Sequence, residues 1–187
     1  MLRLFLVIGR LILDLVETII TALLVFVIIY LFLFQPHQVK GNSMQPNFED
    51  GEYLLTNKVT YRINKPKRGE VVIFESPQNK DFDYIKRIIG LPGEKVKIVN
   101  GKIFINGSVL DESAYLADDV YTQEGSFLPE NEEVDVSENQ YFVVGDNRSH
   151  SSDSREWGFI SVENIIGKTW VRYWPPSRAG LLPTIAW

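Results

Sequence analysis

The stretch VKIVNGKIFINGSVL, Val96 to Leu110, decides the fold. Three short β-branched and aromatic runs, VKIV, KIFI and SVL, are separated by Asn100-Gly101 and Asn106-Gly107. An Asn-Gly pair between such runs is a strong hairpin signal. Both central residues of a type I′ turn need a positive φ, which Asn tolerates and Gly adopts freely. Two of these turns within eight positions predict a tight antiparallel meander.

The same texture extends on both sides. RGEVVIFESP (Arg68–Pro77) is a strand of β-branched and aromatic residues closed by a proline, and YIKRIIG (Tyr84–Gly90) is a second, ended by Gly90-Leu91-Pro92-Gly93. QYFVV (Gln140–Val144) and WVRYW (Trp170–Trp174) read as later strands, with the polar loop GDNRSHSSDSREWG (Gly145–Gly158) between them. The acidic, irregular segment 111–139 reads as a surface excursion. Strands joined by hairpins, with no long amphipathic helix after the N-terminal segment, imply a mainly β fold: an antiparallel barrel or folded sheets.

The N-terminal segment differs in kind. Thr18 to Pro36 contains no charged residue, and its 19 positions would span roughly 28 Å as a helix, about the thickness of a bilayer's hydrocarbon core. A removable signal peptide would have a shorter apolar region and small residues at its cut site. Gln35-Pro36-His37-Gln38 follows instead, so the segment reads as a retained signal anchor. Asp14 and Glu17 would sit at headgroup level. Arg3, Arg10 and the amino terminus precede the span and only Lys40 follows closely, which favours a cytoplasmic N-terminus. The expected organisation is a cytoplasmic end over 1–10, an anchor over 11–36 and an extracytoplasmic β domain over 37–187.

Composition excludes several chemistries. A net charge of −5 and a pI near 5.1 argue against nucleic acid as a partner. With no cysteine there is no disulfide, thiol nucleophile or thiolate metal site. The remaining nucleophile of interest is Ser43, in GNSMQP just past the anchor. A serine needs a base. Ser43, His150 and Asp153 could supply a triad, but His150 also reads as a solvated loop residue. A cation site from Asp146, His150 and Asp153 lacks EF-hand spacing and shares its loop with two arginines. Lys86 is the other base to weigh. Alternation puts Tyr84, Lys86 and Ile88 on one strand face and Ile85, Arg87 and Ile89 on the other. Burial of the first face would disfavour the ammonium and make the lysine basic near neutral pH; exposure would leave it an ordinary edge lysine. The polar loop itself could be only a self-bonded turn, its Asp and Asn side chains capping backbone groups.

Taken in order, the anchor, GNSMQP, RGEVVIF, YIKRIIGLPGE and GDNRSHSSDSREWGF resemble the bacterial type I signal peptidase family, from about Val39 to Tyr173. The resemblance implies a membrane-bound hydrolase with an antiparallel β catalytic domain. Such an enzyme removes leader peptides from exported preproteins after Ala-x-Ala-type sequences, close to the export translocon and the lipid bilayer, with no cofactor and no metal. It implies Ser43 as nucleophile and Lys86 as neutral general base, with Ser151 orienting that lysine. Asp146, Asp153, Arg155 and Arg87 match bracing ionic positions, and Met44, Tyr84 and Ile85 match residues of the substrate cleft. Gly41 stands where some members carry a serine that helps the oxyanion hole, which leaves the hole to main-chain N–H groups and favours comparison with the single-span, Gram-positive-like members. Trp170, Tyr173 and Trp174 could rest in the headgroup layer or simply pack on the sheet. Two rival readings are a tethered β module that binds exported chains without cutting them, and a peptidase specialised for a narrow substrate set.

Overall fold

The computed structural model describes residues 2–183 and 185. Met1, Thr184, Ala186 and Trp187 of the expected domains, and the side chain of Arg3, lie outside the described residues. In chain order the elements are α1 (Leu2–Phe32), β1 (Phe34–Gln38), β2 (Tyr53–Asn57), α2 (Thr60–Ile63), β3 (Val71–Glu75), β4 (Asp83–Gly90), β5 (Lys95–Val99), β6 (Lys102–Ile105), β7 (Ser108–Val109), β8 (Glu133–Asp135), β9 (Gln140–Val144), α3 (Ser154–Trp157), β10 (Ile160–Ser161), β11 (Ile165–Trp174) and β12 (Gly180–Leu181).

The two Asn-Gly pairs turn the chain as expected. Asn100 and Asn106 both adopt positive φ, and β5 pairs with β6 and β6 with β7. This meander, with β8 added, forms a four-stranded sheet in the order β7-β6-β5-β8. The larger sheet has eight strands, in the order β1-β2-β11-β3-β4-β9-β10 with β12 alongside β11. Every pairing in both sheets is antiparallel. The fold is therefore mainly β behind one N-terminal apolar helix.

Helix α1 ends at Phe32 rather than running to residue 36. The reason is pairing: Phe34 to Gln38 forms the edge strand β1 on β2, from Phe34 opposite Asn57 to Gln38 opposite Tyr53. Pro36 has no N–H to donate, and an edge strand is where a sheet tolerates that. The described side chains of α1 from Leu6 onward are exposed, and Leu6–Tyr30 is long and apolar enough to cross a membrane.

The segment 111–139, expected as a surface excursion, packs over the small sheet instead. Tyr115, Leu116, Leu128 and Val136 are buried with Val96, Ile98 and Ile103. Most of its acids face water while its spaced apolar residues close the core, so net acidity concealed a buried contribution.

Candidate active site

Three pieces of chain converge beside β4. The first is the loop from Val39 to Gly51, which carries Ser43. Val39 N–H donates to Glu52 O at 2.8 Å and Gly51 N–H donates to Val39 O at 2.9 Å, so the loop closes on itself. Met44 and Phe48 pin it from inside, packed with Leu54, Val71, Ile73 and Ile85. Gly41 has φ +82°, a conformation that suits glycine, and its N–H donates to Asp50 Oδ1 at 2.7 Å. That amide is thus already engaged. The amide of Ser43 takes part in no hydrogen bond among the described residues.

The second piece is β4 itself. From Ile85 to Gly90 every residue is buried, because β4 lies between β3 and β9. Lys86 sits opposite Val72 and is only 4% exposed. Its Nζ lies 2.8 Å from Ser43 Oγ and 3.0 Å from Ile85 O, with the Tyr84 ring centroid at 5.5 Å. Burial lowers the lysine to a pKa of about 8. Asp153 and Asp146 partly oppose that shift and Arg155 adds to it.

The third piece is the loop after β9. Asn147 N–H donates to Ser43 O and Asn147 Nδ2 to Asn42 O, both at 3.0 Å, tying this loop to the first. Asp146 accepts from Arg87 Nε at 2.8 Å and Arg87 Nη2 at 2.6 Å, and from Asn47 Nδ2 at 2.8 Å. Asp153 accepts from Arg155 Nε at 2.8 Å, Arg155 Nη2 at 2.9 Å and Gly145 N–H at 2.9 Å. Arg155 in turn donates through Nη1 to Gln123 O and Arg148 O. The two carboxylates weighed for a cation each hold an arginine in a buried bidentate pair.

Ser151 Oγ is buried and has no hydrogen-bond partner among the described residues, Lys86 included. It lies against Gly145, where an added Cβ would collide with Ser151 Oγ and Ser43 O. His150 is exposed and bonds Ser149 Oγ, so the structure does not assemble the Ser43, His150 and Asp153 triad. Tyr84 and Ile85 line a cavity of about 220 Å³ with Ser43, Lys86, Leu54 and Ile73. Met44 is fully buried beneath the loop and offers no surface to that cavity.

Several site residues escaped the sequence reading. His37 lines the same cavity, its Nδ1 2.8 Å from Thr56 Oγ1, and burial holds its imidazole below the ordinary value against the pull of Asp83. Arg148, noted only as one of two loop arginines, is 3% exposed and holds Glu112 with both Nη atoms. Behind the serine loop, Arg172 Nη2 donates to Asn47 O at 2.6 Å. Arg172 Nε and Arg178 Nη1 each lie 3.0 Å from the buried Glu52 carboxylate, ion contacts whose angles fall outside those of hydrogen bonds. Glu52 and Arg172 are 120 positions apart, and no local pattern links them.

A buried lysine near neutrality against a serine hydroxyl, beside an open cavity and a free main-chain amide, is equipped for nucleophilic acyl transfer. Comparison with known proteins identifies relatives of this chain. Residues 12–174 match the family described as signal peptidase, peptidase S26. The chain is 38% identical over 175 residues to the probable signal peptidase I-2 of Synechocystis sp., covering 91% of this chain and 77% of that one. It is 35% identical over 179 residues to signal peptidase IB of Staphylococcus aureus, covering 88% of this chain and 92% of that one. The crystal structure of a signal peptidase I from Enterococcus faecalis V583 aligns at 32% identity with a TM-score of 0.46, covering 56% of this chain and 97% of that one.

Proposed function

The chain belongs to the signal peptidase family, peptidase S26, and from that premise we propose that it removes leader peptides with Ser43 as nucleophile and Lys86 as general base. As a member of that family it is a membrane-anchored hydrolase that cleaves signal peptides from preproteins. The observation that carries the dyad is the 2.8 Å contact between Ser43 Oγ and the Nζ of a buried lysine.

The neutral amine of Lys86 takes the Ser43 proton as Oγ attacks the scissile carbonyl. The carbonyl π electrons move onto oxygen, and the unengaged amide of Ser43 is the donor best placed to hold that oxyanion. One such donor contributes about 3 kcal/mol. Collapse of the adduct breaks the C–N bond, and the Lys86 ammonium returns its proton to the departing amine. The leader remains esterified to Ser43. Lys86 then takes a proton from water, the resulting hydroxide attacks the ester, and Ser43 recovers its hydrogen. Asp146 and Asp153 hold Arg87 and Arg155 and so brace the two loops. To Ser151 we assign the orienting of Lys86.

Sheet topology supports an extended substrate. β9 pairs with β4 only from Arg87 onward, so on the side away from β3 the residues Asp83 to Lys86 have no strand neighbour among those described. A leader's cut region would add there as a strand against Tyr84 and Ile85, turning alternate side chains into the same cavity. Its walls of Leu54, Ile73 and Ile85 and its volume of about 220 Å³ favour small residues, of the Ala-x-Ala kind. We place residues 1–10 in the cytoplasm and the β domain from residue 37 outside the membrane, beside the translocon. Trp170, Tyr173 and Trp174, each more than 40% exposed, would rest in the headgroup layer.

The test is a labelled preprotein incubated with the full chain in detergent, its products sized by mass spectrometry. A single cut after an Ala-x-Ala sequence, lost in Ser43→Ala and Lys86→Ala variants of unchanged Tm, is expected. Undiminished turnover by Lys86→Ala would sink the dyad.

A further inference from the structure

The dyad uses one flank of the serine loop. The other flank holds a second cavity, of about 390 Å³, that takes no part in the proposed chemistry. It lies between the serine loop, the loop after β9 and the segment 116–123, with Gln45, Pro46, Ala117, Tyr121, Gln123 and Ser149 in its walls. The two cavities share a partition. Ser43 and Ser152 line the first, while Gln45 and residues 147–149 line the second. Asn147 N–H, which donates to Ser43 O, joins the two loops along that partition.

Sheet topology sends a substrate from one cavity toward the other. A leader paired along residues 83–86 brings its scissile carbonyl to Ser43 at the Lys86 end. Past that point the same edge of β4 is taken, since Arg87 pairs with Val144 and Ile88 with Val143. The residues after the cut therefore cannot continue as a strand. They have to leave the sheet where β9 gives way to the loop 145–152, which forms the partition. The second cavity opens on the far flank of that loop.

The catalytic loop itself holds the far wall in place. Arg148 Nη1 donates to Thr122 Oγ1 at 2.6 Å and Arg155 Nη1 to Gln123 O at 2.9 Å, each arginine being only 3% exposed. Thr122 N–H donates to Gly101 O at 2.9 Å, and the Tyr121 ring lies over Gly101, where a Cβ would not fit. The charges lining the cavity are matched, Asp146 by Arg87 and Arg148 by Glu112. What remains for a ligand is the Tyr121 ring, 54% exposed, and the side-chain amides of Gln45 and Gln123. Neither amide makes a hydrogen bond among the described residues. Aromatic surface beside unengaged amides suits the backbone and uncharged side chains of an extended polypeptide. Walls fixed in advance lower the ordering cost of binding it.

We propose that this groove receives the first residues of the mature chain, on the departing side of the cut. The inference rests on the signal peptidase reading. It gives the segment 111–139 a part in substrate recognition besides closing the core of the small sheet.

The experiment uses the full chain in detergent and two peptides with the same leader and cut site. The short one ends two residues past the cut; the long one continues for roughly eight more, about 26 Å of extended chain. For wild type, KM of the long peptide is about 10-fold lower at equal kcat, the scale of one aromatic contact and one peptide hydrogen bond. In Tyr121→Ala/Gln123→Ala the two KM values coincide. Ala117→Trp, which crowds the groove and leaves both of those side chains in place, gives the same result. A photo-crosslinker at Ala117 captures the long peptide on its mature side. Equal KM values for wild type, a long-peptide advantage that survives in both variants, or a crosslink confined to the leader overturns the groove and leaves the dyad standing. Failure of wild type to cut either peptide overturns both.

Discussion

Lys86 Nζ lies 2.8 Å from Ser43 Oγ across 43 positions of sequence, with the lysine only 4% exposed. Proximity and burial coincide here: under the proposed mechanism the first would give the serine proton a destination, and the second lowers the lysine's pKa to about 8.

The first consequence is a pH profile. Lys86 titrates at about 8, chiefly through burial, and only its neutral form accepts the serine proton. On the cleavage-site peptide, kcat/KM should rise ~10-fold per pH unit below that value and level off above it. A profile flat from pH 6 to 9 would exclude Lys86 as base.

The same shift has a stability signature. The folded pKa is depressed from 10.5 to about 8, so the unfolded chain holds the proton more tightly through that window. Wild-type stability should therefore rise between about pH 8 and 10.5, by on the order of 3 kcal/mol, and fall back as pH drops through 8. Lys86→Met should abolish turnover yet unfold at higher urea than wild type at pH 7, the gap closing by pH 10.5.

Asp146 and Arg87 form a pair with side chains 0% and 6% exposed. Asp146→Ala strands a buried guanidinium and should cost about 3–5 kcal/mol in urea unfolding. The double variant with Arg87→Met should regain most of it. If the single variant loses under 1 kcal/mol, the pair contributes no more than a surface one.

Arg172 reaches Asn47 O and Glu52 from one planar fork, which a lysine cannot reproduce. Arg172→Lys should lower kcat by roughly 10–100-fold with little change in KM, because it loosens the serine loop from behind. That outcome would mark Arg172 as a positioning residue. A rise in KM alone would assign it to substrate binding.

Gly145 is needed for space. An added Cβ would strike Ser151 Oγ and Ser43 O, so Gly145→Ala should cost about 1–3 kcal/mol and most of the activity. Ser151→Ala removes a hydroxyl that is buried with no hydrogen-bond partner among the described residues, so its Tm should hold or rise while kcat falls. Equal losses of Tm and kcat would make Ser151 structural.

The hairpin meander, the principal strands, the apolar N-terminal helix and the candidate pair Ser43 and Lys86 were legible in the sequence, because each shows in its local residue pattern. Asn-Gly bends the chain whatever surrounds it, and an uncharged run is apolar wherever it lies. The edge strand Phe34–Gln38 was not legible, since its residues lack strand character and it exists only because Tyr53–Asn57 offers hydrogen bonds. Tertiary structure also decided that Lys86 is buried, that Glu112 holds Arg148, and that Arg172 and Glu52 stand behind the serine. Those facts depend on distances between segments far apart in the chain. The desolvation that makes a lysine a base belongs to the packed sheet, not to the lysine.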